Sequence, residues 1–296
     1  MEKAYIITGP TSGIGKATAL KMAGYGKLIL VGRNFEKLRE TQAMIENNGG
    51  TALPVVCDLS DMDSVRKAAQ EIVALGLPIA GLLNNAGIMP GKALQSMQGW
   101  DLTYATNHLG PFALTEALMP SLPNGANVVF IVSAIEDPER KPVKAMGLKG
   151  GRYISAEASA RGEWLKPGSK IAGMDAYATS KQCLLAASLY LAQEHKRLHI
   201  NAIEPGITRG TGLGAGSTPA WIHGLFGRLM AILPPFSHYA STPERSADVI
   251  VAVLTDTSGK TGQYISEKGV PMKGSALVHD PVFREKVVKE TRALLT

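Results

Sequence analysis

Cysteine is almost missing: Cys57 and Cys183 are the only two in 296 residues. They cannot build a disulfide framework and no spacing matches a zinc site, so no metal is expected and a reducing, cytoplasmic setting fits. Long apolar runs are missing too, so no integral membrane segment is expected. Trp221 to Phe236 comes nearest, but His223, Gly224, Gly227, Arg228 and two prolines interrupt it, and it reads as a surface lid or docking helix. Met1, Glu2 and Lys3 lead straight into an apolar segment, so neither a signal peptide nor an anchor is expected ahead of it. Runs of one charge are also lacking. Lys and Arg number 31 against 25 acidic residues, but they are scattered, so the net charge of +6 does not describe a nucleic-acid groove. A phosphorylated cofactor could use part of it. Internal repeats, low-complexity tracts and linkers are absent as well, and residues 1–296 read as one domain. With 45% hydrophobic and 19% charged residues, the chain can bury a sizeable core.

The pattern that fills this chain is alternation. Ala4 to Thr8 is a short apolar run ending in Gly9, and from Gly15 the period becomes helical through Ala19, Leu20 and Met22. Leu28 to Val31 is a second apolar run, and Lys37 to Asn47 reads as a helix closed by Gly49 and Gly50. Further strands are expected at Ala52–Cys57, Ile79–Asn84, Asn127–Val132 and His199–Ile203. Helices are expected at Ser64–Ala74, near Leu102–Leu118, and at Ala176–Glu194. Near-continuous apolar strands separated by helices belong to a parallel sheet covered on both faces, which implies a doubly wound α/β fold. Two segments break the rhythm: a mixed-charge insertion at 135–175, and an excursion over about 208–241 that reads as a substrate lid.

Thr8, Gly9, Pro10, Thr11, Ser12, Gly13, Ile14 and Gly15 join the first strand to the first helix. Gly13 and Gly15 let backbone amides approach a pyrophosphate at the positive end of that helix. The end of the second strand is where such folds read the adenosine ribose: a carboxylate suits a free 2′-hydroxyl and a guanidinium a 2′-phosphate. Here Gly32 is followed by Arg33 and Asn34, with no acid, so NADP(H) is expected rather than NAD(H). Asp58, ahead of Leu59, ends the third strand and could accept from an adenine amino group or cap a helix, a role open also to Ser60 and Asp61. Asn84, Asn85, Ala86 and Gly87 end the fourth strand with small residues that let backbone lie along a cofactor.

Tyr177 and Lys181 are four residues apart in a helical segment and share a face. Ser133 ends the preceding strand, where doubly wound sheets place ligand groups. A phenol has a pKa of about 10, and a nearby ammonium with a positive nicotinamide would lower it towards neutrality. In this arrangement Ser133 holds a substrate oxygen, Tyr177 gives it a proton as hydride arrives, and Lys181 binds the ribose and supports the phenolate. Asn107 lies in a helical segment that could end near Lys181 and position water.

In their order, Thr8-Gly9 through Gly15, Asn84-Asn85-Ala86-Gly87, Asn107, Ser133, Tyr177-x-x-x-Lys181 and Pro205-Gly206 resemble the short-chain dehydrogenase/reductase family, from residue 4 to about residue 265. The resemblance implies a three-layer Rossmann-like fold with a mainly seven-stranded parallel sheet. It also implies a catalytic tetrad of Asn107, Ser133, Tyr177 and Lys181, and pro-S hydride transfer. Cofactor contacts are implied along Gly9 and Thr11 to Gly15, at Arg33, Asn34, Asp58, Leu59, Asn85, Ala86 and Gly87, and at Pro205, Gly206, Ile207 and Thr208. Thr106 to Phe112, Ser180 to Cys183 and Thr242-Pro243-Glu244 are similar to the retinol dehydrogenase-like and protochlorophyllide reductase-like branch, which often prefers NADP(H) and bulky, apolar substrates. The helix near Ala176 is a common dimerisation surface in the family, so a homodimer or homotetramer stays open.

Two departures bear on the site. The family commonly carries a threonine five residues after the proline of its Pro-Gly pair, where this chain has Gly210 between Thr208 and Thr211. The interval from Ser133 to Tyr177 is also longer than in typical members, so the role of Ser133 requires residues 135–175 to loop out; Ser155 and Ser159 are alternatives. Met89, Ile135, Trp221, Leu225, Phe226, Leu229, Met230 and Phe236 could wall an apolar site for a large ketone, aldehyde or enone, or belong to the core. A reaction without net redox change, such as epimerisation, and a noncatalytic NADP(H) sensor are the competing readings.

Overall fold

Alternate residues along each central strand point into two different helical layers, both dry. The computed structural model describes residues 2–208 and 237–296. In β1 (Ala4–Thr8), Ala4 and Ile6 face one apolar cluster while Tyr5 and Ile7 face the other. In β2 (Lys27–Gly32), Ile29 and Val31 go one way, Leu28 and Leu30 the other. The two-residue period of a strand thus builds two cores from one apolar run, and this is why the runs are continuous rather than alternating with polar residues.

The other strands are β3 (Thr51–Val56), β4 (Ile79–Asn84), β5 (Asn127–Ile131) and β6 (His199–Ile203), with β7 (Ile207–Thr208) pairing β8 (Ala240–Ser241) apart from the main sheet, and β9 (Tyr264–Ile265) at its edge. The seven-stranded sheet runs β3-β2-β1-β4-β5-β6-β9 and every pairing is parallel. This is the expected Rossmann-like α/β fold. Its order reverses direction between β1 and β4, and a reversal leaves a crevice beyond the carboxyl ends of those strands because the connections leave to opposite faces.

Helices α1 (Gly13–Lys21) and α2 (Phe35–Asn47) cover one face, and α3 (Met62–Ala74) lies on the other. Val65, Ala68, Ala69 and Ile72 make the buried stripe of α3, and Asp61 caps it by accepting from Asp63 N at 3.1 Å. The expected helix near 102–118 is divided: α4 (Leu102–Tyr104), a π-helical turn over Ala105–Leu109, and α5 (Gly110–Leu118). Pro111 has no N–H to give to the carbonyl of residue 107, so the ordinary four-residue repeat fails there.

Residues 135–175 leave the sheet between Ser133 and Tyr177 and contribute no strand to it. They hold two short helices, α6 (Lys141–Ala145) and α7 (Ala156–Ala160), and fold back over α8 (Met174–Glu194). The remaining helices are α9 (Pro243–Leu254), α10 (Ala276–His279) and α11 (Pro281–Leu295). Tyr153 donates its hydroxyl to Glu290 at 2.6 Å, and Ala156 N donates to the same oxygen at 3.0 Å, tying the insertion to α11. Fully buried Glu136 accepts from Ser275 N at 2.8 Å and from its hydroxyl at 2.6 Å. Helix α11 packs against α8, of which Gln193 and Glu194 are the exposed residues. No described helix is long and apolar enough to cross a membrane.

Candidate active site

A cleft of about 610 Å³ opens at the carboxyl ends of β1 and β4, where the strand order reverses. Gly9 and the turn from Thr11 to Gly15 form one wall. Gly13 has φ +51°, which a side chain would strain, and a β-carbon on Gly15 would lie 2.1 Å from the Gly9 carbonyl oxygen. Ser12 stands at the start of α1 in extended geometry, with no side-chain hydrogen bond to the first turn. Together these features bring a helix N-terminus bare to the cleft, which suits a pyrophosphate.

At the β2 end the cleft is lined by Arg33, Asn34 and Lys37. The Asn34 side chain accepts from Lys37 N at 2.9 Å and so starts α2. That cap brings a second cation, Lys37, to the place where Arg33 was expected to meet a 2′-phosphate. Sequence reasoning missed Lys37, whose position in the first turn of a capped helix was the available signal. Among the described residues neither Arg33 nor Lys37 is in an ion pair, and no carboxylate lines this end of the cleft. The donor set therefore fits a phosphorylated dinucleotide.

Cys57 and Leu59 line the next part, but Asp58 does not. Its carboxylate turns back on its own chain, accepting from Ser60 N at 2.9 Å and Ser60 Oγ at 2.7 Å, while Asp61 takes the cap of α3. Asn85, Ala86, Gly87 and Ile88 continue the wall. The Asn85 amide is spent on structure: Nδ2 donates to Thr8 O at 2.9 Å and Gly9 O at 3.2 Å. Thr8 Oγ1 in turn accepts from Asn85 N and Ala86 N at 2.9 and 3.0 Å, so the ends of β1 and β4 are laced together beneath the crevice.

Ser133, Tyr177 and Lys181 meet at the far end of the same cleft. Ser133 leaves β5, and the other two project from the first turns of α8; Ser133 hydrogen-bonds Tyr177. Lys181 is 3% exposed, donates to Ile131 O at 2.8 Å and lies 5.8 Å from the centre of the Tyr177 ring. Burial lowers its ammonium to about 8, a carboxylate at Glu204 working the other way. Burial and Glu204 both lift the Tyr177 phenol above its ordinary value, against the Ser133 hydrogen bond. The protein's own groups thus favour the protonated phenol, and the nicotinamide charge that the expected lowering also invoked is not among them. Glu204 is the second residue that sequence reasoning missed, since a lone acid beside Pro205-Gly206 carries no spacing signal.

Asn107 sits in the π-helical turn, fully buried. Its amide accepts from Ile88 N at 2.8 Å and donates to Ile88 O at 2.9 Å and Ser180 Oγ at 3.2 Å, so the side chain holds the cleft wall rather than lining it. A β-carbon on Gly87 would lie 3.4 Å from Asn107 Oδ1 and 3.5 Å from Lys181 Nζ, which measures how closely these three residues pack. Pro205, Gly206 and Thr208 close the cleft, with Ile207 between them and outside its lining. Thr208 Oγ1 contacts Gly206 O at 3.2 Å and Ser246 Oγ at 3.4 Å; Gly210 and Thr211 lie outside the described residues. Ser155 caps α7 and Ser159 is buried within it, away from the cleft. Met89 and Ile135 join Val143, Met146, Leu148 and Met174 in a small apolar cluster. Trp221, Leu225, Phe226, Leu229, Met230 and Phe236 lie outside the described residues, as does most of the lid expected over 208–241.

Comparison with known proteins places this geometry in context. Residues 3–144 match the family model for short chain dehydrogenases. Chloroplastic protochlorophyllide reductase of Chlamydomonas reinhardtii is 28% identical over 286 residues, covering 88% of this chain and 68% of the relative. Human retinol dehydrogenase 13 is 28% identical over 282 residues, covering 90% and 77%. A short chain dehydrogenase from Shigella flexneri 2a, solved in complex with NADP, superposes with a TM-score of 0.64 at 26% identity, covering 90% of this chain and 97% of that one.

Proposed function

Since this chain belongs to the short-chain dehydrogenase/reductase family, in the branch that resembles retinol dehydrogenases and protochlorophyllide reductases, we propose that it is an NADP(H)-dependent oxidoreductase reducing the carbonyl of a bulky, apolar substrate, or oxidising the matching alcohol. The observation that carries the reading is one cleft with Ser133, Tyr177 and Lys181 at one end and Arg33 and Lys37 at the other. NADPH bound along it would supply the hydride.

The residues then divide the work. Ser133 donates to the substrate oxygen, fixing it beside Tyr177. Tyr177 passes its phenolic proton to that oxygen as negative charge develops there, a general-acid step. Lys181, anchored on Ile131 O, keeps positive charge beside the phenolate that remains. Asn107 holds Ile88, and with it the wall on which the dinucleotide lies. Arg33 and Lys37 pair with a 2′-phosphate. The likeness to retinol dehydrogenase 13 and protochlorophyllide reductase supports a ketone, aldehyde or enone with a large hydrocarbon part. The buried, free cysteines suit a cytoplasmic setting.

The test is Tyr177→Phe, assayed by NADPH consumption against a panel of hydrophobic aldehydes, ketones and enones. We expect turnover to fall by about 10²–10⁴-fold, the usual worth of a positioned acid, with NADPH binding retained. Undiminished turnover removes the mechanism, and strict preference for small polar sugars removes the substrate class. Substrate conversion with bound cofactor but no net NADPH consumption would favour epimerisation.

A further inference from the structure

Glu204 places a buried carboxylate between the two loops that meet at the reacting end of the cleft, and the mechanism above makes no use of it. It follows β6 directly and is 6% exposed. Its Oε2 accepts from the backbone N–H of Ala134, the residue after Ser133, and its Oε1 accepts from Gly206 N at 3.2 Å. One side chain therefore clips the turn that carries Ser133 to the turn that opens the Pro205–Thr208 segment. Burial pushes the Glu204 carboxyl above the ordinary carboxylate range, and the two backbone N–H donors work against that by favouring its ionised form. The other charged or titratable groups facing it are Arg140 ahead of α6, Tyr264 and Glu267 from the β9 end, and Tyr177 and Lys181 from α8. Arg140 and Lys181 favour its charge and Glu267 opposes it.

Once ionised, Glu204 resists a second negative charge on the Tyr177 oxygen. We propose that Glu204 is a positioning residue that registers Ser133 against the Pro205–Gly206 turn and keeps the proton on Tyr177, setting the site to give a proton to a carbonyl oxygen rather than to take one from an alcohol. The inference rests on the oxidoreductase reading. The reduction balances without consuming Glu204: the carbonyl carbon gains hydride as its π bond breaks, the oxygen gains the Tyr177 proton, and solvent reprotonates the phenolate. Alcohol oxidation, which needs the phenolate, is displaced to higher pH.

The test needs no known substrate. Protein labelled with ¹³C at the tyrosine Cζ is titrated as its NADP⁺ complex, the Tyr177 signal being assigned by its loss in Tyr177→Phe. In Glu204→Gln we expect the Tyr177 midpoint to fall by about one pH unit or more. An unchanged midpoint, or a phenol that stays neutral in both proteins up to alkaline unfolding, overturns the proposal. Glutamine can accept from only one of the two N–H groups, so a second measurement uses the parent protein labelled at the glutamate Cδ. A Glu204 signal already ionised where Tyr177 is neutral supports the proposal, and one that keeps its proton until Tyr177 ionises overturns it. Failure of the oxidoreductase reading would show separately, as substrate conversion by the parent protein without net NADPH consumption.

Discussion

The two ends of the cleft are built from different materials. The phosphate end is made of backbone: a glycine turn, a bare helix N-terminus and a helix cap, with Arg33 and Lys37 standing in water. The reacting end is made of side chains from the ends of β5 and β6 and from α8: half-buried Ser133 and Tyr177 beside buried Lys181 and Glu204, with the proton affinities of Tyr177 and Lys181 shifted by burial and by Glu204. Backbone geometry is local and tolerates little substitution. A buried charge is felt at a distance, because low dielectric lengthens its reach.

This contrast can be broken or sharpened by substitution at either end. The largest effect is expected at the reacting end: Ser133→Ala should lower kcat by about 10²–10³-fold, the scale of one lost donor to a developing oxyanion, with NADPH affinity unchanged. Equal losses in both would mean that the two ends are not separable. At the phosphate end, joint replacement of Arg33 and Lys37 by Ala should weaken NADPH binding by about 10–100-fold, from charge-assisted bonds of about 1.5–3 kcal/mol, and leave NADH binding nearly unchanged in calorimetric titrations. Gly15→Ala forces a β-carbon onto the Gly9 carbonyl and should cost about 1–3 kcal/mol in denaturant unfolding; a smaller loss would show that the turn can yield.

The smallest effect concerns Glu136, behind the reacting end. Burial raises its carboxyl to about 7 despite two hydrogen bonds from Ser275. A carboxyl held above its unfolded value binds more protons when folded, so its contribution to stability is full at low pH. That contribution declines as pH rises from the ordinary carboxylate range through about 7. Unfolding free energies at pH 5 and pH 7 should differ less in Glu136→Gln than in the parent, and an unaltered difference would count against the assignment.

Much of the fold was legible because its signals are local. The six longer strands are continuous apolar runs, and glycine and capping residues punctuate the helices between them. β9 was not legible: Tyr264 and Ile265 are too few to show a period, and their pairing with β6 depends on residues some sixty positions away. The π-helical turn was hidden inside a good helical pattern, although Pro111 was its cause. At the site, strand-end position marked Ser133 and helical spacing marked Tyr177 and Lys181. Asp58 read as an adenine contact or a helix cap; its carboxylate accepts instead from Ser60, two residues on, and Asp61 is the cap.

Residue order alone determined where the chain turns, which strands would be dry on both faces, and which side chains stand at the strand ends facing the crevice, because each depends on neighbours a few positions away. Tertiary structure alone decided the rest. It tied the insertion to the C-terminal segment through Tyr153 on Glu290 and Glu136 on Ser275, and it set the carboxylate that follows β6 near a phenol from α8. Proton affinity in a dry interior is a property of what is near in space, and nearness in space is what a linear pattern does not contain.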